Sequence, residues 1–284
     1  MKIKLYKTKF LQQLSSLYDE KEVESFFYLI LEKLHNLKRI DLALHPELEM
    51  DEKQFQIWET IVADLKKQKP IQYILGETEF YGLPFLVNEN TLIPRPETEE
   101  LVQLIIDNSK SIIQHFPFSI LDIGTGTGCI PIALKMNLPI AEVFAIDVSE
   151  NALEVAKINA ARNNVEVVFW QKDILKTTQL GQQFDVIVSN PPYVRHLEKT
   201  EIKPNVLEYE PHLALFVADD DPLIFYRKIA ELAKNGLKTN GQLYFEINQY
   251  LGKETVTLLD GLGFKNIQLI KDVYGNDRII CCHI

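Results

Sequence analysis

The chain has 284 residues, of which 46% are hydrophobic and 25% charged, and it carries a formal net charge of −10. This is the composition of an ordinary globular protein, with room for one large domain or for a large domain and a small one. The sequence contains no apolar run of 18 residues that could span a membrane, and its basic, polar N-terminus is unlike a secretory signal peptide. We therefore expect a protein without membrane association.

The three cysteines are Cys129, Cys281 and Cys282, and the six histidines are scattered. Adjacent cysteines are poor disulfide partners, and none of these residues follows the spacing of a metal site. We therefore predict a protein of the reducing cytoplasm with no metal ligands.

The negative charge is unevenly placed along the chain. Residues 1–75 contain equal numbers of acidic and basic side chains, so the remainder carries the whole net charge. Proteins that bind nucleic acid usually present a basic surface to its phosphates. The charge therefore disfavours a nucleic-acid substrate, although a local basic groove would escape this argument.

The first 75 residues predict a small helical bundle. Apolar residues recur at helical spacing from Val23 to Leu37 and again from Phe55 to Leu65, where Asp51 is the predicted N-cap. Residues 76–96 predict a linker hairpin, with two short strands joined by a turn containing Gly82 and Pro84.

Residues 97–284 predict an α/β domain. A helix is expected over 97–114, followed by strands that alternate with helices such as 150–162 and 222–234. This alternation is typical of an open, mostly parallel sheet with helices on both faces, which binds ligands at the carboxyl ends of its strands. The predicted strands are 120–123, 143–147, 165–170, 184–189, 242–247, 266–271 and 278–283.

A glycine-rich loop follows the first strand of this sheet. A dinucleotide fingerprint needs glycine at its first, third and sixth positions, but the sixth position from Gly124 is Cys129. A phosphate loop with Gly-Lys-Ser/Thr is also absent, so neither hydride transfer nor ATP hydrolysis is favoured. The residues of the predicted cofactor loop are Gly124, Thr125, Gly126, Thr127 and Gly128.

Three acidic residues lie at or near the ends of successive predicted strands. Asp122 precedes the glycines and suits a cationic ligand, Asp147 is placed to accept from ribose hydroxyls, and Asp173 could accept from an adenine amine. Each acid alone is more often a plain surface residue. Together they predict a negative pocket for S-adenosylmethionine, which is cationic at one end and carries a ribose and an adenine.

The tetrapeptide Asn190-Pro191-Pro192-Tyr193 follows the predicted strand 184–189. Without context such a sequence is more often a turn that ends a strand. Beside the glycine loop it predicts a binding site for a planar –NH₂ group. The Asn190 side-chain oxygen and the Pro191 carbonyl would accept its two hydrogens, and the Tyr193 ring would lie against its plane. Asn190, Pro191 and Tyr193 are the predicted catalytic residues, and with Pro192 they form the predicted substrate site. Asn190 is also expected to contact the cofactor.

These motifs resemble the bacterial and organellar protein-(glutamine-N5) methyltransferases that modify peptide-chain release factors. The resemblance covers nearly the whole chain, including 73–76, 210–211, 226–227 and 275–278. Its most specific segment is Leu92-Ile93-Pro94-Arg95-Pro96-Glu97-Thr98-Glu99. The resemblance implies a Rossmann-like class I S-adenosylmethionine-dependent methyltransferase domain at 97–284, a helical substrate-binding domain at 1–75 and a linker hairpin at 76–96.

The implied reaction moves a methyl group from S-adenosylmethionine to the glutamine N5 of a release factor's Gly-Gly-Gln motif, leaving S-adenosylhomocysteine. Release factors are then the expected partners of a monomeric enzyme that binds no nucleic acid directly. The chain departs from the family pattern at Asn248, where glycine is usual, and at Asp221-Pro222, where a shorter Asp-Gly is commoner.

Two other functions remain open at this point. An adenine-N6 methyltransferase acting on DNA or RNA would use the same tetrapeptide on a flipped base. A binding module that has lost catalysis would show damaged pocket residues, and none is seen. Arg95 is left with two roles, orienting the substrate or pairing with a carboxylate.

Overall fold

The computed structural model describes residues 1–110 and 118–284, which divide into two units. One comprises Met1–Gly76 and Lys203–Tyr209, and the other comprises Glu77–Ile202 and Glu210–Ile284. The grouping of Lys203–Tyr209 with the N-terminal helices has no counterpart in the sequence-based division. In the two described ranges, no helix combines the length and the apolar character needed to cross a membrane.

The N-terminal unit is helical. Asp19 accepts the backbone N–H of Glu22 at 2.9 Å, and Asp51 and Gln54 accept each other's backbone N–H groups at 2.7 and 2.9 Å. These bonds satisfy donors that a helix start leaves free, and Asp51 is the N-cap that was predicted. The helices are α1 (Ile3–Leu14), α2 (Glu20–His35), α3 (Arg39–Leu44), α4 (Glu52–Lys66), α5 (Ile71–Leu75) and, from the later segment, α9 (Pro204–Tyr209).

Trp58 of α4 is fully buried in the core of this unit. Its ring packs against Tyr6, Phe10 and Phe27, at centroid separations of 5.5, 5.7 and 5.0 Å. The indole N–H donates to Nε2 of His35 at 3.0 Å, so the buried donor is satisfied. Nε2 can accept in the neutral imidazole, and burial lowers the pKa of His35, which favours that form.

The second unit begins with the antiparallel hairpin of β1 (Glu77–Phe80) and β2 (Leu83–Leu86). Tyr81 and Gly82 connect the strands with φ values of 53° and 71°. Two central residues with positive φ are typical of the type I′ turn, whose twist matches that of a hairpin. The hairpin was predicted correctly, but its turn was misplaced, because Pro84 lies within β2 opposite Glu79.

A seven-stranded sheet forms the centre of the second unit among the described residues. Its order is β10-β11-β9-β6-β3-β4-β5, with β9, β6, β3, β4 and β5 parallel and β11 antiparallel to both neighbours. The short strands β7 and β8 pair separately. The strands are β3 (Ser119–Ile123), β4 (Glu142–Asp147), β5 (Val168–Gln171), β6 (Phe184–Ser189), β7 (Val194–Arg195), β8 (Phe216–Val217), β9 (Leu237–Glu246), β10 (Lys265–Lys271) and β11 (Asp277–His283).

Helices cover both faces of the sheet, as predicted. Side chains of β6 alternate between two apolar clusters, with Val186 and Val188 in one and Ile187 in the other. The first cluster includes residues of α6, α7 and α8, and the second includes residues of α11 and α12. The helices are α6 (Pro96–Lys110), α7 (Cys129–Asn137), α8 (Glu150–Arg162), α10 (His212–Leu215), α11 (Ile224–Gly236) and α12 (Gly252–Gly261), with a 3₁₀ helix at His196–Glu201.

Element boundaries differ from the prediction where the backbone is irregular. β9 begins at Leu237 rather than at the predicted Gln242. The residues between these two positions are irregular: Asn240 has a φ of 65°, and the pairing with β6 shifts register there. Polar residues and an Asn-Gly pair hid this part of the strand. The predicted continuation of α6 beyond Lys110 lies outside the described residues.

The strand register aligns the carboxyl ends of four strands at one edge of the sheet. Ile123 of β3 lies opposite Ile146 of β4 and Ser189 of β6, and Ser189 lies opposite Phe245 of β9. These four strands run parallel, so their carboxyl ends share that edge. The next residue in each segment is Gly124, Asp147, Asn190 or Glu246.

Replacing His35 by glutamine should remove a pH dependence from the stability of the N-terminal unit. Because the pKa of folded His35 is lowered, the unfolded chain binds this proton more readily, so wild-type stability should fall as the pH drops through about 6.5. Glutamine can accept from Trp58 without titrating, and the loss should shrink by about 1 kcal/mol, the scale of one hydrogen bond.

The measurement is unfolding in urea at about pH 7.5 and about pH 5.5, monitored by the fluorescence of Trp58 in a Trp170→Phe background. His45→Gln, at an exposed histidine, is the control and should behave like the wild type. Equal losses of stability in the wild type and His35→Gln would contradict the assignment.

Candidate active site

A cavity of about 380 Å³, a volume within the range of small-molecule sites, opens at the shared edge of the strands. It is lined by most of the predicted site residues, namely Gly124, Thr125, Gly126, Thr127, Asp147, Asp173, Asn190, Pro191 and Pro192. Asp122, Gly128 and Tyr193 are not among the residues that line it. One cavity therefore brings together the glycine loop, two of the three acids and most of the tetrapeptide.

The glycine loop is held against β4 by its own backbone. The N–H groups of Gly124 and Thr125 both donate to the carbonyl of Ile146, at 2.8 and 3.0 Å. Gly128 has a φ of 79°, and a Cβ atom there would lie 3.1 Å from the Ala156 methyl group. Glycine at this position therefore lets the start of α7 pack closely on α8.

Asp147 is fixed at the end of β4 by two backbone donors. Its Oδ2 accepts from the N–H of Gly126 at 2.8 Å, and its Oδ1 accepts from the N–H of Ser149 at 2.9 Å. Burial nevertheless raises the pKa of this carboxyl. Each carboxylate oxygen has a second lone pair, so Asp147 can still accept from hydroxyl groups in the cavity.

Asp122 lies in β3 and is fully buried. Neither of its carboxyl oxygens has a hydrogen-bond partner among the described residues, and nor does the Thr125 hydroxyl nearby. Burial raises the pKa of Asp122 to about 7. An unpaired buried carboxyl directly behind the loop suits a ligand that carries positive charge.

Asp173 follows β5 and lines the cavity. Its Oδ2 pairs with Lys176 at 2.9 Å, which lowers its pKa, and its Oδ1 accepts from the N–H of Leu175 at 3.0 Å. The carboxylate stays ionised and partly exposed, so it remains available as an acceptor at that end of the cavity.

Asn190 is connected to two residues that sequence reasoning did not assign to the site. Its Nδ2 donates to the Thr98 hydroxyl at 3.3 Å, and that hydroxyl donates to Oε2 of Glu246 at 2.6 Å. Glu246 is buried at the end of β9, and burial raises its pKa. A buried acid at a strand end beside three others was the sequence signal that could have identified it.

Tyr193 supports this group of residues from behind. Its hydroxyl donates to Oε1 of Glu246 at 3.1 Å, and its ring packs against the second apolar cluster of the sheet. Burial raises the pKa of Tyr193 far above its usual range, so the phenol stays a donor. Direct contact between this ring and a substrate amide, expected from the sequence, stays a prediction.

Two family models match the chain: the PrmC N-terminal domain over residues 8–76 and the Methyltransferase small domain over residues 103–210. The release factor glutamine methyltransferase of Flavobacterium psychrophilum is 65% identical over 280 residues, covering 99% of this chain and 98% of the relative. The chain belongs to the release factor glutamine methyltransferase family. The Bacteroides thetaiotaomicron member is 42% identical and covers 95% of each chain.

A solved structure supports the architecture. The methyltransferase from Pyrococcus furiosus matches with a TM-score of 0.51 at 21% identity, covering 78% of this chain and 96% of that one. At this identity the likeness concerns the fold alone. With the family match it confirms the predicted class I methyltransferase fold, and the protein is a methyltransferase.

The segment typical of this family is anchored by a partly buried ion pair. Arg95 donates to Oε1 of Glu210 at 2.6 Å, and Oε2 of Glu210 accepts from the N–H of Ile93 at 3.2 Å. Of the two roles left open for Arg95, pairing with a carboxylate is the one observed. The pair fixes the chain just before α6 begins and thereby places Thr98.

The departures from the family pattern make local contacts away from the cavity. Asn248 donates from Nδ2 to the Tyr193 carbonyl and to Oε2 of Glu198, both at 2.9 Å, which restrains the loop after the tetrapeptide. Asp221 forms a two-pronged ion pair with Arg227, at 2.8 and 2.9 Å.

Replacing Asp122 by asparagine should raise the Tm of the ligand-free protein at high pH. Folding raises the pKa of Asp122 from 3.8 to about 7, so wild-type stability falls as the pH rises across that window. The neutral asparagine escapes this loss, and its Tm should exceed that of the wild type by several degrees at about pH 8, since 1 kcal/mol moves Tm by roughly 2–4 °C.

Thermal unfolding at about pH 5 and about pH 8 checks this expectation. Asp220→Asn, at an exposed acid, is the control and should change Tm little at either pH. A Tm difference for Asp122→Asn that is the same at both pH values would contradict the buried-charge explanation.

Proposed function

We propose that this protein transfers a methyl group from S-adenosylmethionine to the side-chain amide nitrogen of the glutamine in the Gly-Gly-Gln motif of class I release factors. The observation that carries the proposal is the position of Asn190 and Pro191 on the wall of the cavity that also contains the glycine loop. The full-length match to relatives named for this activity supports it.

The acids of the cavity suit the three parts of the cofactor. Asp147 would accept from the ribose hydroxyls, Asp173 from the adenine amine, and Asp122 would stabilise the positive end through the glycine loop. When bound, S-adenosylmethionine supplies a methyl group already activated by its sulfonium. The protein's own contribution is therefore to bind, to orient and to exclude water.

The tetrapeptide orients the amide that receives the methyl group. The Asn190 side-chain oxygen and the Pro191 carbonyl would accept the two amide hydrogens, which turns the face of the nitrogen towards the methyl donor. No strong general base is needed before transfer, because the amide proton becomes acidic only once the nitrogen has been methylated. Pro192 completes the cavity wall beside this amide.

The partner is then a release factor, which the N-terminal helical unit would help to hold. The acidic charge of the residues after 75 suits a protein loop better than a phosphate backbone. An enzyme acting on release factors would work in the cytoplasm, and we take a monomer as its functional form.

A methyl-transfer assay tests the proposal. Labelled S-adenosylmethionine is offered with a release factor, with its Gln→Ala variant in Gly-Gly-Gln, and with adenine-containing DNA and RNA. We expect label on the intact factor alone, at its glutamine. Label on nucleic acid would overturn the proposal and establish the adenine reaction, and no label on any substrate would indicate a binding module.

Two variants should separate amide binding from cofactor binding. Asn190→Ala should lower turnover by more than ~10²-fold, the scale of one lost polar contact to the reacting group, while changing the Kd of S-adenosylmethionine little. Asp147→Ala should mainly raise that Kd. Turnover on the release factor and calorimetric titration of the cofactor measure the two effects, and near-normal turnover of Asn190→Ala would refute its role.

A further inference from the structure

We infer that Thr98 and Glu246 form a positioning relay that fixes which end of the Asn190 side-chain amide faces the cavity. The inference deepens the proposed function and rests on it, because it concerns the grip on the substrate amide. The relay joins three elements: Thr98 lies in the first turn of α6, Glu246 ends β9 and Asn190 follows β6.

Glu246 sets the direction of the hydrogen bonds. Both of its carboxyl oxygens accept from hydroxyl groups, Oε2 from Thr98 at 2.6 Å and Oε1 from Tyr193 at 3.1 Å. Burial raises the pKa of Glu246, and these two donors together with the positive charge of Arg278 on β11 oppose that rise. Both oxygens therefore act as acceptors, and the hydroxyl hydrogen of Thr98 is committed to Glu246.

Thr98 passes this direction on to Asn190. With its single hydrogen engaged by Glu246, the Thr98 hydroxyl has only lone pairs to offer to other groups. It can therefore accept from Nδ2 of Asn190, at 3.3 Å, but cannot donate to Oδ1. The amide nitrogen is held towards Thr98, and Oδ1 is left for the cavity.

The orientation matters because an asparagine amide turned by 180° has nearly the same shape and the opposite chemistry. In the turned form Nδ2 would meet the N–H groups of the substrate amide, placing donor against donor. The Asn190 side chain could then no longer accept a substrate hydrogen. The hydroxyl of Thr98 thus discriminates between a productive and an unproductive state of a residue that touches the substrate.

Kinetics of matched variants test the relay. Thr98→Val keeps the shape but removes the hydroxyl, and we expect kcat on a release factor to fall by about 10- to 100-fold, the scale of a hydrogen bond in a charged network. Thr98→Ser restores the hydroxyl and should recover most of the turnover. Glu246→Gln, whose amide can donate to Thr98, should lower kcat as Thr98→Val does.

The Kd of S-adenosylmethionine and the KM for the release factor should change less than about threefold in all three variants. Thr255→Val is the matched control, since that buried hydroxyl donates to the carbonyl of Leu251, the N-cap of its own helix. Its kcat should equal that of the wild type. Unchanged kcat in Thr98→Val, or an equal loss in Thr98→Val and Thr98→Ser, would overturn the relay.

An NMR measurement separates failure of the relay from failure of the proposed function. The side-chain NH₂ signals of Asn190, identified by their loss in Asn190→Asp, need no substrate to be observed. They should shift in Thr98→Val and Glu246→Gln and stay nearly in place in Thr98→Ser. If the Asn190 signals do not shift in Thr98→Val, the relay is refuted. If the wild-type protein transfers no label to release factors, the proposed function alone is refuted.

Discussion

Ile123, Ile146 and Ser189 lie side by side across three parallel strands, and Phe245 continues the row on a fourth. Because the carboxyl ends of parallel strands lie at the same edge of the sheet, the polar groups that follow these strands lie close together whatever the length of the loops. A slip of one residue in a strand would turn its side chains to the other face and disperse the site. The two apolar clusters that flank the sheet prevent such a slip.

The convergence places three partly or fully buried carboxyls near one another, which costs stability. Asp122, Asp147 and Glu246 all have pKa values raised by burial, and Asp122 has no hydrogen-bond partner among the described residues. A cationic methyl donor would offset this cost on binding. Glu246 differs from the other two, because it accepts hydrogen bonds from the hydroxyls of Thr98 and Tyr193 and so serves to orient Asn190 rather than to hold a ligand.

Much of the fold could be predicted from periodicity alone. The helical stripe of α4 and its cap at Asp51 are local features, and so are the apolar strands β3, β4 and β6. Prediction failed at two places where the backbone adopts a conformation that the residue types there do not indicate. The start of β9 is irregular at Asn240, and the type I′ turn at Tyr81 needed a positive φ that a tyrosine rarely signals.

The sequence by itself determined which groups line the cavity: a glycine loop, acids at or just after the ends of two strands and Asn190-Pro191-Pro192 after β6. Each of these is a short run of residues that can be recognised from its neighbours in the chain. Only the tertiary structure decided that Tyr193 faces Glu246, that Arg95 pairs with Glu210 and that Thr98 connects Asn190 to Glu246. These pairs are far apart in the chain. The hydrogen bonds of Thr98 and Glu246 depend on how α6 and β9 pack beside β6, which no local pattern encodes.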